Sequence, residues 1–234
     1  PGKAQSAFAT KGFFAMLRAA PPSLRLYWGP GTCSFVAHFA LERLRRELGV
    51  AYDDTRIVLA QREHFAPEFL AVNPRHQVPT LMIGTTPLTQ LAAILHYLDH
   101  TFPEAQLFPP PGPIRWQALS TFLWLNTTVH PSHTRLFRPE RFGGEAGAAS
   151  VAEIARTTFA AALGEIETIC AGAPHFLHGD RPDAVDAYVF VILHWAGLRG
   201  FDLQQFPATV ALVERFRATE AGGAIVEKEG LALS

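Results

Sequence analysis

The pattern of apolar and polar positions becomes regular at Leu24. Residues 24–27 alternate apolar and polar side chains, which predicts a short strand, and residues 29–31 (Gly-Pro-Gly) close it with a turn. Apolar residues at helical spacing then predict a helix over residues 33–47. Gly49 follows this stretch, as is typical of a helix end.

The same pattern of apolar and polar positions predicts further elements up to about residue 100. It predicts a β-branched strand over residues 52–59, a helical turn over 67–70, a strand over 77–83, a turn over 84–87 followed by a brief strand, and a helix over 91–97 that opens near Thr89. The order is βαβ, then a hairpin, then a helix. We therefore expect a compact α/β domain over residues 24–102, a normal size for one domain.

A proline-rich stretch over residues 103–113 separates this domain from the rest of the chain. Its Pro-Pro-Pro-Gly-Pro run suits neither a helix nor a central strand. Beyond it, strand patterns disappear, and helices are predicted over residues 114–129, 151–170, 184–198 and 208–217, with breaks at 143–144 and 172–174. The predicted fold class is an α/β domain followed by an all-helical domain over residues 114–234.

Residues 1–23 differ from both units in composition. They carry Lys3, Lys11 and Arg18 but no acid, and the first acidic residue of the chain is Glu42. A basic, acid-poor and Ala/Ser-rich segment is typical of a transit peptide. Its single apolar patch is short for a signal sequence, and Pro21 begins a Pro-Pro pair that stops a helix. We expect a flexible tail, which is either a targeting segment or an extra segment added in front of the folded domains.

Charge and cysteine content exclude several function classes. The 234 residues carry 20 Lys+Arg against 21 Asp+Glu, and a net charge of -1 provides no general attraction to nucleic acid or to an anionic membrane. No apolar run approaches the roughly 20 residues that a membrane span needs. Two cysteines, Cys33 and Cys170, do not make a disulfide scaffold, which favours a reducing compartment, and we predict the cytoplasm.

Cys33 follows a strand and a glycine turn at the start of the first predicted helix. Unpaired backbone N–H groups and the helix dipole favour an anion there, which predicts a thiol that ionises easily. The alternative, a small buried apolar side chain, is equally consistent with the placement. A dithiol centre needs a second cysteine three residues on, where the chain has Val36. Cys170 ends a helix of the other domain, and a structural role is expected for it.

The same turn differs by one residue from a dinucleotide-binding fingerprint. Ser34 replaces the third glycine, and Asp53 and Asp54 open the second strand, whereas a ribose-binding acid would close it. Only one βαβ unit precedes the helical half, too little for a dinucleotide sheet. These features disfavour nicotinamide binding.

Three segments together resemble the glutathione transferases. They are residues 27–34 (YWGPGTCS), 73–81 (NPRHQVPTL) and 88–98 (LTQLAAILHYL), in family order and at family spacing; residues 179–188 (GDRPDAVDAY) match the family's buried helix-capping segment. The cysteine in the first motif is similar to the beta class. The resemblance implies a thioredoxin-like N-terminal domain, an all-helical C-terminal domain, a homodimer, glutathione as co-substrate and no metal.

The resemblance also assigns residues to the glutathione site. The bond between Val78 and Pro79 would be the family's cis peptide, with the Val78 backbone holding the cysteinyl part of glutathione as an added strand does. Gln90 and Leu91 fall where the family has an acid and a small polar residue that grip the γ-glutamyl end. Because of this departure, the site has no negative charge to face the ammonium group of the ligand. The further contacts that it implies are Tyr27, Gln77, Asn126 and Thr127.

A histidine of the helical domain completes the resemblance. Residues 126–131 (NTTVHP) are similar to the beta-class stretch that places a histidine over the thiol, with His130 as that residue and Pro131 in place of a basic one. His130 would donate a hydrogen bond to sulfur or, as a cation, stabilise a thiolate. The alternative is a histidine that interacts with a helix end.

Other candidate residues have structural interpretations. His130 with His133, and His175 with His178, have metal-like spacing but no evident third ligand. His38 is expected on the far part of its helix. We expect Trp116, Phe122 and Trp124 in the core, and an N-cap role for Asp183 and Asp186.

The sequence thus predicts a glutathione transferase or a glutathione-dependent thiol/disulfide oxidoreductase. Cys33 would activate or bond to the glutathione sulfur, His130 would assist, and an apolar electrophile would bind between the domains. The alternative is a non-catalytic module of the same fold with weakened glutathione binding, which the pair Gln90 and Leu91 favours.

Overall fold

The computed structural model describes residues 22–232. The predicted tail lies almost wholly outside these residues. Within them, no helix combines the length and the apolar composition that crossing a membrane requires.

A four-stranded mixed sheet forms the centre of the N-terminal domain. Its strands are β1 (Leu24–Trp28), β2 (Tyr52–Arg56), β3 (Thr80–Ile83) and β4 (Thr86–Thr89), in the order β2-β1-β3-β4. β1 and β2 are parallel, and the other pairs are antiparallel. The predicted strands over 52–59 and 77–83 are longer than the observed ones, because pairing with β1 ends at Arg56 and begins at Thr80. The thioredoxin-like prediction is confirmed.

Three helices complete this domain: α1 (Ser34–Leu48), α2 (Pro67–Val72) and α3 (Leu91–Thr101). The first eleven residues of α1 are buried, which places the helix between the sheet and the helical domain. It ends at Gly49, whose φ of 68° lies in the left-handed region that glycine adopts without steric cost.

The C-terminal domain is all-helical. Its helices are α4 (Pro113–Trp124), α5 (His130–Phe137), α6 (Glu140–Ala171), α7 (Ala184–Leu198), α8 (Pro207–Arg217) and α9 (Glu220–Glu229), and a π-helical turn over Leu125–Val129 joins α4 to α5. The predicted helix over 151–170 is the straight part of α6, which bends at Gly144, where φ is 60°. The helices α5 and α9 were not predicted.

Helix α7 is the centre of the C-terminal core. Its first thirteen residues are buried, and Asp183 and Asp186 form a reciprocal capping box at its start, which confirms the predicted N-cap role. The ring of Phe190 stacks on that of Phe35 from α1, with 4.7 Å between centroids. The two domains therefore share one hydrophobic core. Trp116 was expected in this core, but 68% of it is exposed.

Candidate functional site

Cys33 is the N-cap residue of α1, and the loop before it is held by short-range hydrogen bonds. The Ser34 hydroxyl accepts from the Gly29 N–H at 3.0 Å, and the Thr32 N–H donates to the Gly29 carbonyl at 3.2 Å. The side chains of Thr32 and Ser34 also bond to each other at 2.7 Å. This network places the thiol at the point where β1 turns into α1.

The electrostatics of Cys33 differ from the prediction. Burial raises the pKa of this thiol to about 12; a backbone hydrogen bond opposes the shift, and the Glu229 carboxylate adds to it. The expected lowering from the helix N-terminus is therefore wrong for the free protein, because removal of the thiolate from water outweighs it. Cys33 is half-buried and carries its proton at neutral pH.

The Val78 loop lies directly against the thiol. The Cys33 Sγ atom donates to the Val78 carbonyl oxygen at 3.8 Å, and the peptide bond between Val78 and Pro79 is cis, as predicted. Among residues 22–232, the Val78 N–H makes no hydrogen bond. Val78 therefore offers a backbone donor and acceptor beside the sulfur.

Asn73 is a residue whose positioning role the sequence analysis missed. It is 1% exposed, and its Nδ2 donates to the Gln77 carbonyl at 2.8 Å and to the Thr80 hydroxyl at 3.0 Å. Its Oδ1 accepts from the Arg75 N–H at 3.0 Å. Asn73 thus fixes the loop that presents Val78, and the sequence signal was an asparagine before a proline at the end of a short helix.

Gln90 and Leu91 have different surroundings. Gln90 is exposed at the N-terminus of α3, with φ 73° and ψ 120°, a conformation that costs a non-glycine residue about 1–3 kcal/mol. Strained residues of this kind concentrate at ligand sites. The Leu91 side chain is 4% exposed and belongs to the core. Of Leu91, only the backbone can therefore contact a ligand, which corrects the expectation of a side-chain contact.

The remaining predicted residues of the N-terminal domain have distinct placements. The ring of Tyr27 lies 5.5 Å from that of Phe69, on the side of the sheet that α2 covers. The Gln77 side chain is exposed, while its carbonyl accepts the Asn73 and Thr80 bonds. Pro79 is buried. Tyr27 and Pro79 thus pack within the N-terminal domain, and the Gln77 side chain lies at the protein surface.

His130 belongs to a hydrogen-bonded triad in the helical domain. Its Nδ1 lies 2.9 Å from the Tyr188 hydroxyl, which also bonds to Asn126 Oδ1 at 3.3 Å. Burial lowers the pKa of His130 to about 4, so the imidazole is neutral at pH 7. Burial also raises the pKa of Tyr188, and Cys33, once ionised, raises it further. Thr127 lies on the exposed side, with its hydroxyl bonded to the Leu123 carbonyl at 2.8 Å.

Side chains of α9 and α7 hold the loop that precedes Cys33. Glu229 accepts from the Gly31 N–H at 3.1 Å and contacts His38 Nδ1 at 2.9 Å. The indole of Trp195 donates to the Gly31 carbonyl at 2.7 Å. His38 was expected to be remote from the site, but the helix turns it inward to Glu229. No sequence motif pointed to Glu229, because α9 was not predicted.

The other candidate chemistries find no support in the described residues. Asp54 accepts from the Trp28 indole at 2.8 Å and pairs with Lys228, so it serves as an anchor for α9. No group of three or more metal-ligating side chains occurs within residues 22–232. Cys170 is buried, and burial raises its pKa to about 11, in line with a structural role.

Comparisons with known proteins identify the family. Residues 22–100 match the family model "Glutathione S-transferase, N-terminal domain", and residues 140–225 match "Glutathione S-transferase, C-terminal domain". The glutathione S-transferase GST-4.5 of Xanthomonas campestris is 31% identical over 211 residues, which cover 89% of this chain and 100% of that protein. The maleylpyruvate isomerase of a Ralstonia species is 27% identical over 190 residues, which cover 77% of this chain and 85% of that protein.

Solved structures give the same result. A glutathione transferase homologue from Sulfitobacter with bound glutathione has a TM-score of 0.79 and 27% identity, over 90% of this chain and 99% of that one. A beta-class enzyme from Sphingomonas chungbukensis has a TM-score of 0.73 and 30% identity, over 89% of this chain and 100% of that one. The two family models together span both domains. The chain therefore belongs to the glutathione S-transferase family, whose members are transferases.

Proposed function

We propose that this chain is a cysteine-type glutathione transferase in which Cys33 acts on the glutathione sulfur. The observation that carries the proposal is the contact between the Cys33 Sγ and the Val78 carbonyl at 3.8 Å. By family resemblance, the Val78 backbone pairs with the cysteinyl residue of glutathione. A ligand held there has its sulfur beside Cys33.

In conjugation, the protonated Cys33 thiol acts as a hydrogen-bond donor. Its raised pKa keeps the proton on Cys33 at neutral pH. Glutathione brings its own thiol, which loses its proton to solvent as the sulfur attacks the electrophile; with an aryl halide, the carbon–sulfur bond forms and the halide ion leaves. A thiol donor then stabilises the glutathione thiolate, which is the nucleophile.

A disulfide reaction at the same place needs only thiol exchange. The Cys33 sulfur attacks one sulfur of oxidised glutathione, forms a mixed disulfide and releases the other half as a thiolate. The proton that Cys33 loses passes to the released glutathione. Neutral His130, whose pKa is lowered by burial, relays this proton through Nε2, the ring nitrogen that does not bond to Tyr188.

The proposed glutathione contacts come from both domains. The Val78 backbone, the N-terminus of α3 at Gln90 and Leu91, and the exposed Gln77 side chain would touch the ligand, and Asn126 and Thr127 would contribute from the helical domain. Free N–H groups at a helix N-terminus suit the γ-glutamyl carboxylate. The combination of Cys33 and His130, together with the beta-class structural neighbour, supports assignment to the beta class.

The test compares two cysteine variants. In Cys33→Ala, we expect conjugation of glutathione to a chromogenic aryl halide to fall at least tenfold, and treatment with oxidised glutathione to leave no adduct by intact-mass spectrometry. The matched control, Cys170→Ala, should retain both activity and a single adduct on Cys33. Full activity in Cys33→Ala, or an adduct found mainly on Cys170, would contradict the proposal. Glutathione binding with no activity towards any electrophile or disulfide would favour a non-catalytic module.

A second candidate function follows from a group of basic side chains around His64. Burial lowers the pKa of His64, and His76, Arg62, Arg141 and Arg138 lower it further. Two of these groups belong to the helical domain, so both domains contribute positive charge to one place. Such a cluster suits a co-substrate that carries carboxylates. This supports isomerisation of a maleyl acid at the proposed glutathione site; the Ralstonia relative is named a maleylpyruvate isomerase.

The isomerase candidate is tested with maleylpyruvate. We expect glutathione-dependent turnover that falls at least tenfold in Arg138→Gln, through a higher KM, while conjugation of an uncharged aryl halide is retained. No turnover of the maleyl acid would exclude this candidate and leave an apolar electrophile as the proposed co-substrate.

Assembly and compartment are further proposals. Trp116 and Leu123 lie on one face of α4, seven residues apart, and are 68% and 43% exposed. We propose that this face contributes to a homodimer, and that Trp116→Asp yields a monomer in light scattering. Both Cys33 and Cys170 are free thiols, which supports a reducing compartment such as the cytoplasm.

A further inference from the structure

A concave region lies between the domains, and none of the residues that line it belongs to the proposed glutathione site. It is an open cleft of about 530 Å³, bounded by the end of α1, the loop after α6 and the junction of α8 with α9. Phe39 and Phe176, which are 0% and 2% exposed, form its apolar base. The volume lies within the range of about 300–1,000 Å³ that is typical of small-molecule sites.

Arg43 is the buried cation of this cleft. Its side chain is 3% exposed, its Nε donates to Glu47 at 3.1 Å and its Nη1 bonds to the Pro182 carbonyl. The Nη2 nitrogen is buried and has no hydrogen-bond partner among residues 22–232. Burying a guanidinium donor without a partner costs free energy, and an acceptor that reached this nitrogen from the cleft would recover it.

Positive charge in the cleft exceeds what its acids neutralise. Arg43 and Arg181 share the single carboxylate of Glu47. Arg215 donates its Nε to the His175 carbonyl at 3.0 Å and pairs with no carboxylate within the described part of the chain. Burial lowers the pKa of Arg43; Glu47 opposes this shift and Arg181 adds to it.

The other charged groups that line the cleft lie at its edge. Glu220 is 88% exposed and lies 3.8 Å from the exposed Arg46, whose Nε is already bonded to Glu42. Asp180 and His175 are exposed. The groups farthest from water are therefore Arg43 and the half-buried Arg215, both cationic.

From these observations we infer that the cleft between α1 and the α8–α9 junction is a second ligand site, which binds the oxyanion group of a small anionic molecule through Arg43 and Arg215. Guanidinium groups suit carboxylate and phosphate oxygens, with which they make paired charge-assisted hydrogen bonds. Because Arg43 belongs to the N-terminal domain and Arg215 to the helical one, a bound anion connects the two domains.

The experiment is isothermal titration of the full chain with sodium pyrophosphate and, separately, with sodium citrate at constant ionic strength. We expect saturable binding of at least one probe with a stoichiometry near one, and the stronger probe distinguishes a phosphate from a carboxylate ligand. Saturating glutathione should leave the dissociation constant unchanged. No saturable binding of either probe, or competition with glutathione, would overturn the inference.

Substituted proteins distinguish binding at this site from non-specific attraction of the anion to positive charge. Arg215→Gln should weaken binding about ten- to a hundredfold, as expected for loss of a charged hydrogen bond, and Arg43→Gln should do the same if it folds. The matched control is Arg217→Gln, two residues along the same helix and paired with Glu214 outside the cleft. Equal weakening in Arg215→Gln and Arg217→Gln would show non-specific attraction and would also overturn the inference.

Discussion

The Glu229 carboxylate lies 2.9 Å from Nδ1 of His38, although 191 residues separate them, and both side chains are 0% exposed. The second carboxylate oxygen of Glu229 accepts from the Gly31 N–H. The last residue of α9 thus holds together the start of α1 and the loop that presents Cys33. This one carboxylate links α9 to the loop that precedes Cys33.

Removal of that carboxylate should destabilise the protein. Breaking a buried pair leaves its partner without compensation, and we expect Glu229→Ala to lower the free energy of unfolding by about 3 kcal/mol. Urea denaturation followed by tryptophan fluorescence measures this change. The exposed neighbour Glu227→Ala serves as control and should change the free energy by less than about 0.5 kcal/mol. Equal effects in the two variants would show that the buried pair contributes nothing.

The rate of Cys33 alkylation should keep rising with pH and should not level off near neutral pH. Its pKa of about 12 predicts that the rate of reaction with iodoacetamide keeps rising with pH up to at least pH 10, because only the thiolate reacts. The measurement uses the Cys170→Ala variant and mass spectrometry. Glu229→Gln removes a negative charge that raises this pKa, so alkylation at pH 8 should become faster. A plateau below pH 8 in the unchanged protein would instead indicate that the helix N-terminus dominates.

The position of Gln90 determines the expected effect of a charge there. Gln90→Glu places a carboxylate at the N-terminus of α3, where under the proposed glutathione contacts it would face the ammonium group of the γ-glutamyl moiety. Glutathione should then bind about ten- to a hundredfold more tightly, measured by calorimetric titration. Gln90→Ala is the control and should bind no more tightly than the unchanged protein. Weaker binding in Gln90→Glu would mean that this residue does not face the ligand.

Leu91→Ser would give the chain the small polar residue that the family resemblance implies at this position, but the structure argues against this substitution. Leu91 is 4% exposed, so serine there removes core volume and buries a hydroxyl. We expect a loss of unfolding free energy of about 2–4 kcal/mol. Thermal unfolding measures this loss, with the exposed Ala93→Ser as control. A stable Leu91→Ser with tighter glutathione binding would restore the original interpretation.

Acid should destabilise the protein through buried histidines. Burial lowers the pKa of His130 from 6.5 to about 4 and that of His133 to about 3 in the folded state. The unfolded chain therefore binds these protons first, so the stability is fully present above pH 6.5 and decreases as pH falls towards 4.

We expect His130 to account for about 2 kcal/mol of this decrease in stability. Each unit of pKa shift corresponds to about 1.4 kcal/mol, and the total is reduced because the side chain is partly exposed to water. Urea midpoints at pH 7, 5.5 and 4.5 measure it. His130→Gln should flatten the pH dependence, whereas the exposed control His100→Gln should not. An unchanged slope in His130→Gln would assign the acid sensitivity to other groups.

Much of the architecture could be predicted from local patterns. Strand β1, helix α7 and the Asp183–Asp186 capping box depend on residues close in sequence, so alternation, helical spacing and capping residues were sufficient. Helices α5 and α9 were missed because Pro131 and the pair Gly222 and Gly223 resemble loop signals. In the structure Pro131 occupies the first turn of α5, where proline is tolerated, and packing stabilises α9 around its glycines.

By itself, the sequence determined the fold class, the family motifs and the position of Cys33 at the start of a helix, because each of these depends on residue order over short spans. Only the tertiary structure decided the state of that thiol, the partner of His38, the core position of Leu91 and the cleft around Arg43. All four depend on burial and on contacts between distant segments. Removal of a charged group from water outweighs the local field of a helix end, and a linear pattern does not show which groups lose their water.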